Sequence, residues 1–207
     1  MPVLSKRRAR SLAELIATVA VAVGLAIAIQ AWLVKPYRIP SGSMEPTLAL
    51  DQRVLVNRIF KSPHIGQIVV FHPPQGADSG ECGRPHPATA ACDWPNPESN
   101  ETFVKRVVAG PGDVITIQDG RVIRNGRREA DPYTRPCSPG QSACTFATPI
   151  RVPRGMWFMM GDNRGDSEDS RFWGPVPASW IIGDAFFTYW PLDRIGTLSR
   201  PSLDQRS

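Results

Sequence analysis

The chain has 207 residues and a net charge of +5 at pH 7, enough for one domain, or one domain with an anchor and insertions, built on a real core. Its arginines are spread along the sequence and no basic cluster interleaves with aromatics beyond the N-terminus, which argues against nucleic-acid binding. With 21 prolines and 17 glycines, long helices are disfavoured outside an anchor and a loop-rich β structure is favoured.

Residues 1–11 form a basic head with Lys6, Arg7, Arg8 and Arg10. From Leu12 to Val34 the chain is almost wholly apolar, with Glu14 near one end and Gln30 near the other. That run matches the roughly 20 residues a helix needs to cross the hydrocarbon core of a bilayer. Trp32 falls where an interfacial aromatic belongs, and Lys35 and Arg38 follow. The denser charge of the head places residues 1–11 in the cytoplasm, 12–34 in the cell membrane as a single-pass transmembrane anchor, and 35–207 on the outer side. A cleaved signal peptide is the rival, since Ala26-Ile27-Ala28 passes as a small-x-small site, but its apolar core is usually only about 7–15 residues. A buried core helix is a second rival, disfavoured by apolar character on every face.

Pro40-Ser41-Gly42-Ser43-Met44-Glu45-Pro46-Thr47-Leu48 comes next. Gly42 lets the backbone turn sharply and the prolines stiffen the flanks, so a serine hydroxyl can be presented outward. A polar turn after an anchor is the plain alternative. Short β-branched runs then read as strands: Val54–Val56, Gln67–Phe71, Thr102–Ala109, Val114–Ile117 and Arg121–Arg124. Asp119-Gly120 and Asn125-Gly126 are hairpin signals. Met156–Met160 reads as a buried or membrane-facing strand, and Ala185–Trp190 as the last strand. Two proline-rich stretches, about 76–100 and 131–149, read as inserted surface loops. The fold expected is mostly β: an N-terminal transmembrane helix followed by an antiparallel β-sheet domain with loop-rich insertions.

The four cysteines fall in two local pairs, Cys82 with Cys92 and Cys137 with Cys144. Neither is a Cys-x-x-Cys and no histidines cluster nearby, so a zinc site is disfavoured and no metal or other cofactor is expected. Four cysteines allow three pairings; local disulfides in an oxidising compartment are preferred over other pairings or free thiols.

Lys105 is anomalous, because it lies in the apolar stretch Phe103-Val104-Lys105-Arg106-Val107-Val108. Strand alternation puts Lys105 with Phe103 and Val107, and Val104 with Arg106 on the other face. Burial there would favour the neutral amine, a competent general base; on an edge strand the side chain would instead snorkel to water. The loop Gly161–Arg171 packs acids, serines and arginines between apolar neighbours. Asp162, Asp166 and Asp169 offer oxygen ligands, but their spacing is not that of an EF-hand. Asp169 and Arg171, two apart, would share a face if extended and could pair. His64, His72 and His86 lie near prolines or in loops and read as surface residues rather than bases. A serine activated by a neutral lysine needs no histidine.

Four blocks in this order behind an N-terminal anchor resemble the type I signal peptidases, the membrane-bound serine proteases that remove signal peptides from exported proteins. They are Ser41–Leu48, Asp51–Val56, Lys105–Asp113, and Gly161-Asp162-Asn163 through Ser167-Glu168-Asp169-Ser170-Arg171 to Gly174. The resemblance implies Ser43 as nucleophile and Lys105 as general base. It implies Ser41 and the Ser43 amide as the oxyanion hole, and Ser167 as the group orienting the lysine. Asp169 and Arg171 resemble a supporting ion pair, with Gly161 beside them, and Ile39 and Val104 align with pocket positions. Implied partners are the lipid bilayer and preproteins with small residues at −1 and −3. Gln52 stands where a glycine is expected, and Gln67 where an aspartate is common. Two other classes compete: a self-cleaving transcriptional repressor with a Ser-Lys pair, opposed by the anchor and the lack of a DNA-binding helix pair, and a non-enzymatic anchored β-module.

Overall fold

The structure, a computed structural model, describes residues 3–59 and 62–198, with the side chains of 3–10 and 28–32 outside the description. The basic head and the tail after Leu198 therefore lie outside the described side chains. The chain divides into two units, Met1–Lys35 and Pro36–Ser207.

The first unit is helix α1, Val3–Trp32. Leu12, Leu15, Ile16, Val19, Val21, Val23, Leu25 and Ile27 are all exposed, on every side of the helix. Among the described residues no helix is long and apolar enough to cross a membrane; the described side chains of α1 run only from 11 to 27, short of the roughly 20 a span requires. The helix stops at Trp32 and strand β1 occupies Val34–Arg38, because Pro36 disfavours helical geometry at the residue before it and offers no N–H.

The second unit is mostly β. Its strands are β2 Arg53–Asn57, β3 Ile68–Phe71, β4 Phe103–Ala109, β5 Val114–Gln118, β6 Arg121–Arg124, β7 Arg127–Arg128, β8 Phe146–Arg151, β9 Met156–Met160, β10 Val176–Pro177, β11 Ile181–Trp190 and β12 Gly196–Thr197, with a one-turn helix α2 at Ser170–Trp173. One sheet runs β1-β2-β11-β3-β4-β9-β10 with β12 on β11, and the other runs β7-β6-β5-β8. The pairings between strands β2 to β12 are antiparallel.

β3 and β4 are covered on both faces, which is why they read as continuous apolar runs. Ile68, Val70 and Val104 join Ile39, Met44, Leu48, Val54 and Val56 in one core cluster. Val69, Phe71 and Val107 join Met159, Trp173 and Val176 in another. A third holds the small sheet through Ile115, Ile117, Val122, Phe146 and Ile150. Met156–Met160 is a core strand, with Phe158, Met159 and Met160 fully buried. The two hairpin dipeptides adopt the positive φ their turns require, 51° and 75° at Asp119-Gly120 and 53° and 79° at Asn125-Gly126.

The second insertion is shorter than expected, since β8 begins at Phe146 and pairs with β5 through Ile150. Pro149 is tolerated because β8 is an edge strand. Both insertions are closed by a disulfide, Cys82–Cys92 (Cα–Cα 5.7 Å) and Cys137–Cys144 (Cα–Cα 6.4 Å).

Candidate active site

The serine turn is pinned before its chemistry begins. Gly42–Met44 form a single 3-10 turn. Met44 and Leu48 are buried, the Leu48 amide donates to Met44 O at 2.9 Å, and Ile39 exchanges backbone bonds with Gln52 and Asp51. Gln52 is integral here: its Oε1 accepts from Ala49 N at 2.9 Å and its Nε2 donates to Thr188 Oγ1 at 2.8 Å. Gln67, the other departure, accepts from His64 N at 2.7 Å. Buried anchors on both sides leave Ser41 exposed and Ser43 half-buried. The Ser41 hydroxyl donates to Ser43 Oγ at 3.2 Å.

Lys105 sits in the middle of the large sheet, where β4 lies between β3 and β9. It is 4 % exposed, so it does not snorkel. Its Nζ donates to Ser167 Oγ at 3.0 Å. Burial pulls its pKa from the ordinary lysine value down to about 8; Asp169, Glu168 and Asp162 oppose that shift and Arg171 assists it.

The loop from Gly161 to Arg171 supports both groups. Asn163 N donates to Ser43 O at 3.0 Å, and its side-chain amide reaches Gly42 O at 3.3 Å. Gly161 lies between the serine turn and Ser167; a Cβ there would overlap Ser167 Oγ and Ser43 O. Asp169 caps α2 and accepts the Arg171 amide. Arg171 closes a buried fork on that carboxylate, Nε to Oδ1 at 2.7 Å and Nη2 to Oδ2 at 2.9 Å, and Nη2 also reaches Ser167 O at 3.0 Å. The pair therefore arises from cap geometry and not from an extended segment. Burial pushes the Asp169 carboxyl up, but Arg171, with Lys105 and the Gly161 amide, together hold it below the usual carboxylate range.

Sequence reasoning missed Arg106. It is buried on the face of β4 opposite Lys105 and forks onto Asp162, Nε to Oδ1 at 2.8 Å and Nη2 to Oδ2 at 2.6 Å. Its Nη1 donates to Gly66 O at 2.7 Å, and Thr47 Oγ1 donates to Asp162 Oδ2. The signal was an arginine next to a lysine in an otherwise apolar strand, which demands a buried acid somewhere. Asp162 and Asp169, two of the three loop aspartates that offer oxygen ligands, are each committed to an arginine.

Ser41, Ser43, Lys105, Ser167, Arg171, Ile39 and Val104 all line one cleft of about 480 Å³. Asp78 from the first insertion and Gln141 and Ala143 from the second also face it. Asp169 and Gly161 stand behind this wall. His64 and His86 are exposed and His72 half-buried with Nδ1 on Glu101 O, and none of the three lines the cleft.

The family described as "Signal peptidase, peptidase S26" matches residues 12–190. Signal peptidase I of Leptolyngbya laminosa is 37 % identical over 204 residues, covering 97 % of this chain and 91 % of that one. Probable signal peptidase I-2 of Synechocystis sp. is 34 % identical over 189 residues, covering 90 % and 77 %. Signal peptidase IB of Staphylococcus aureus is 28 % identical over 198 residues, covering 88 % and 91 %.

Proposed function

The chain belongs to the signal peptidase family, peptidase S26, and from that premise we propose that it is a membrane-bound serine endopeptidase that removes signal peptides from exported preproteins with a Ser43–Lys105 dyad. The observation that carries this reading is the Lys105 amine. It is buried, held by Ser167 and depressed to about 8, and it shares a cleft with Ser43.

Ser43 is inert until a base removes its proton. Neutral Lys105 takes that proton as Ser43 Oγ attacks the carbonyl after the last residue of the signal peptide. The oxyanion that develops is held by the Ser43 amide and the Ser41 hydroxyl, and losing one such donor typically costs about 10²–10³ in rate. The protonated lysine then gives its proton to the leaving amine. A water deprotonated by the same lysine hydrolyses the acyl-enzyme. Ile39 and Val104 line the cleft with branched side chains, which favours small side chains at −1 and −3.

The anchor over 12–34 belongs to this proposal, with residues 1–11 cytoplasmic and the catalytic domain on the outer side. Its support is an almost wholly apolar sequence and apolar side chains exposed around the described girth of α1, which water disfavours by about 25 cal/mol per Å². Confinement to the bilayer raises the effective concentration of a membrane-inserted substrate.

The test is cleavage of a detergent-solubilised preprotein with an Ala-x-Ala site by the wild type, Ser43→Ala and Lys105→Met. The wild type cuts after the second alanine, and both variants are folded and inactive. Equal cleavage by all three would place the activity elsewhere.

A further inference from the structure

Arg171 is touched from two directions by the two disulfide-closed loops. Its backbone carbonyl accepts the amide of Cys92 at 2.9 Å. Its Nη1 lies 3.4 Å from Ala143 O and 4.0 Å from Cys144 Sγ. The rest of the guanidinium grips Asp169 and the Ser167 carbonyl, and the Ser167 hydroxyl receives the Lys105 amine. Arg171 and Ser167 thus link each disulfide-closed loop to the lysine.

Both loops are also fastened to the structure around the cleft. Gly174, at the end of α2, has no room for a Cβ against Trp94 and Cys92 Sγ. In the second loop, Gln141 Nε2 donates to Gly165 O at 2.7 Å, and Gly120 N donates to Cys144 O at 2.7 Å. The loops have little apolar core of their own, being rich in proline, glycine and small residues. Their disulfides therefore add a covalent restriction to these hydrogen bonds.

We propose that the Cys82–Cys92 and Cys137–Cys144 loops are positioning elements for the catalytic lysine, bracing Arg171 through its carbonyl and its guanidinium so that the dyad is fully competent near neutral pH only in the oxidised chain. This rests on the Ser–Lys reading above. Cys92 and Cys144 are buried, but Cys82 and Cys137 are partly exposed, so a dithiol reaches one sulfur of each bridge. Its thiolate attacks that sulfur and displaces the buried partner as a thiolate. Its second thiol then closes on the mixed disulfide. Each bridge yields two cysteine thiols while one dithiol is oxidised to its disulfide.

The consequence falls on the protonation of Lys105. The charged groups acting on it are Asp162, Glu168 and Asp169 from the β9–α2 loop and Arg171 from α2, and Asp78, Asp166 and Arg164 line the same cleft. Burial is what holds the amine low. Loosened loops admit water, relieve that desolvation and move Lys105 back towards the ordinary lysine range.

The experiment compares the full-length chain in detergent, oxidised and after dithiothreitol, with the Cys82→Ser/Cys92→Ser and Cys137→Ser/Cys144→Ser double variants. Two quantities are read: cleavage of the Ala-x-Ala preprotein across pH, and the titration midpoint of the Lys105 amine by nitrogen-15 NMR. Reduction and each double variant should lower cleavage near neutral pH by about 10²-fold, since each unit by which the base's pKa rises cuts its neutral fraction about tenfold there. They should also move both the acid limb and the Lys105 midpoint to higher pH, with activity returning in alkali. An unchanged midpoint overturns the proposal, whether activity is unaffected or lost evenly at all pH. If the oxidised wild type leaves the preprotein uncut, the protease reading falls, and the Lys105 midpoint on reduction still decides the bracing.

Discussion

Lys105 Nζ and Ser167 Oγ are 3.0 Å apart in a buried site, so the amine is oriented by a neutral hydroxyl. With its pKa at about 8, the working base form is a minority species in mild acid and dominates in mild alkali. Cleavage should rise with pH through a single ionisation near 8 and then level off. A steady-state pH–rate profile of kcat/KM on the solubilised preprotein checks this. A flat profile from mildly acidic to alkaline pH would remove Lys105 as the base.

The same depression makes a stability statement. In the unfolded chain Lys105 keeps the ordinary lysine value of 10.5, while in the folded chain it titrates at about 8. Between those values the unfolded state binds more protons, so stability rises with pH through this window and the cost of the buried charge is complete below it. The difference corresponds to roughly 3 kcal/mol, at about 1.4 kcal/mol per unit. Lys105→Met keeps the volume and removes the charge. It should be inactive yet more stable than the wild type at neutral pH, with the advantage shrinking as pH rises from about 8 to 10.5. Urea midpoints at several pH values measure it.

Local features were legible in the sequence and long-range pairings were not. Asp119-Gly120 and Asn125-Gly126 announce their turns because positive φ is a property of adjacent residues. Ser43, Lys105 and the 161–171 loop stood out because each breaks a local rule: two serines on a stiffened turn, a lysine in an apolar strand, a dense polar run. Alternation assigned Lys105 and Arg106 to opposite faces of β4, but it could not say that both faces are covered. That depends on β4 being interior to its sheet. The Arg106–Asp162 pair spans 56 residues and needs the β4–β9 register to be known. Strand β8 was hidden by Pro149 and by the loop-like composition before it, since an edge position is a topological fact with no local signature.

Gly161 tests how closely the serine turn and the lysine arm must meet. A methyl group there overlaps both Ser167 Oγ and the Ser43 carbonyl, and both neighbours are backbone or short side chains with little room to yield. Gly161→Ala should therefore spread the two apart and cost about 10²-fold in kcat/KM. The fold should survive, because the cores rest on other residues. Steady-state kinetics together with a thermal melt separate the two effects. A variant with wild-type kinetics would show that the serine turn and Ser167 need not be in register.

Arg106 and Asp162 form another buried ion pair, almost wholly out of solvent. It ties β4 to the loop that carries Ser167, and through Thr47 to the serine turn. Removing one partner strands a charge in the core, which costs about 3–5 kcal/mol, whereas replacing both with apolar side chains of similar size is often neutral or better. Arg106→Met and Asp162→Leu should thus each destabilise strongly, and the double variant should recover much of the loss. Activity should not recover with it, because Thr47 no longer has the carboxylate that it donates to, and the serine turn loses that tether. A double-mutant cycle in both denaturant midpoint and kcat/KM reads the two separately. Parallel recovery of stability and cleavage would mean that the pair serves the fold alone and that the turn is placed by its buried Met44 and Leu48.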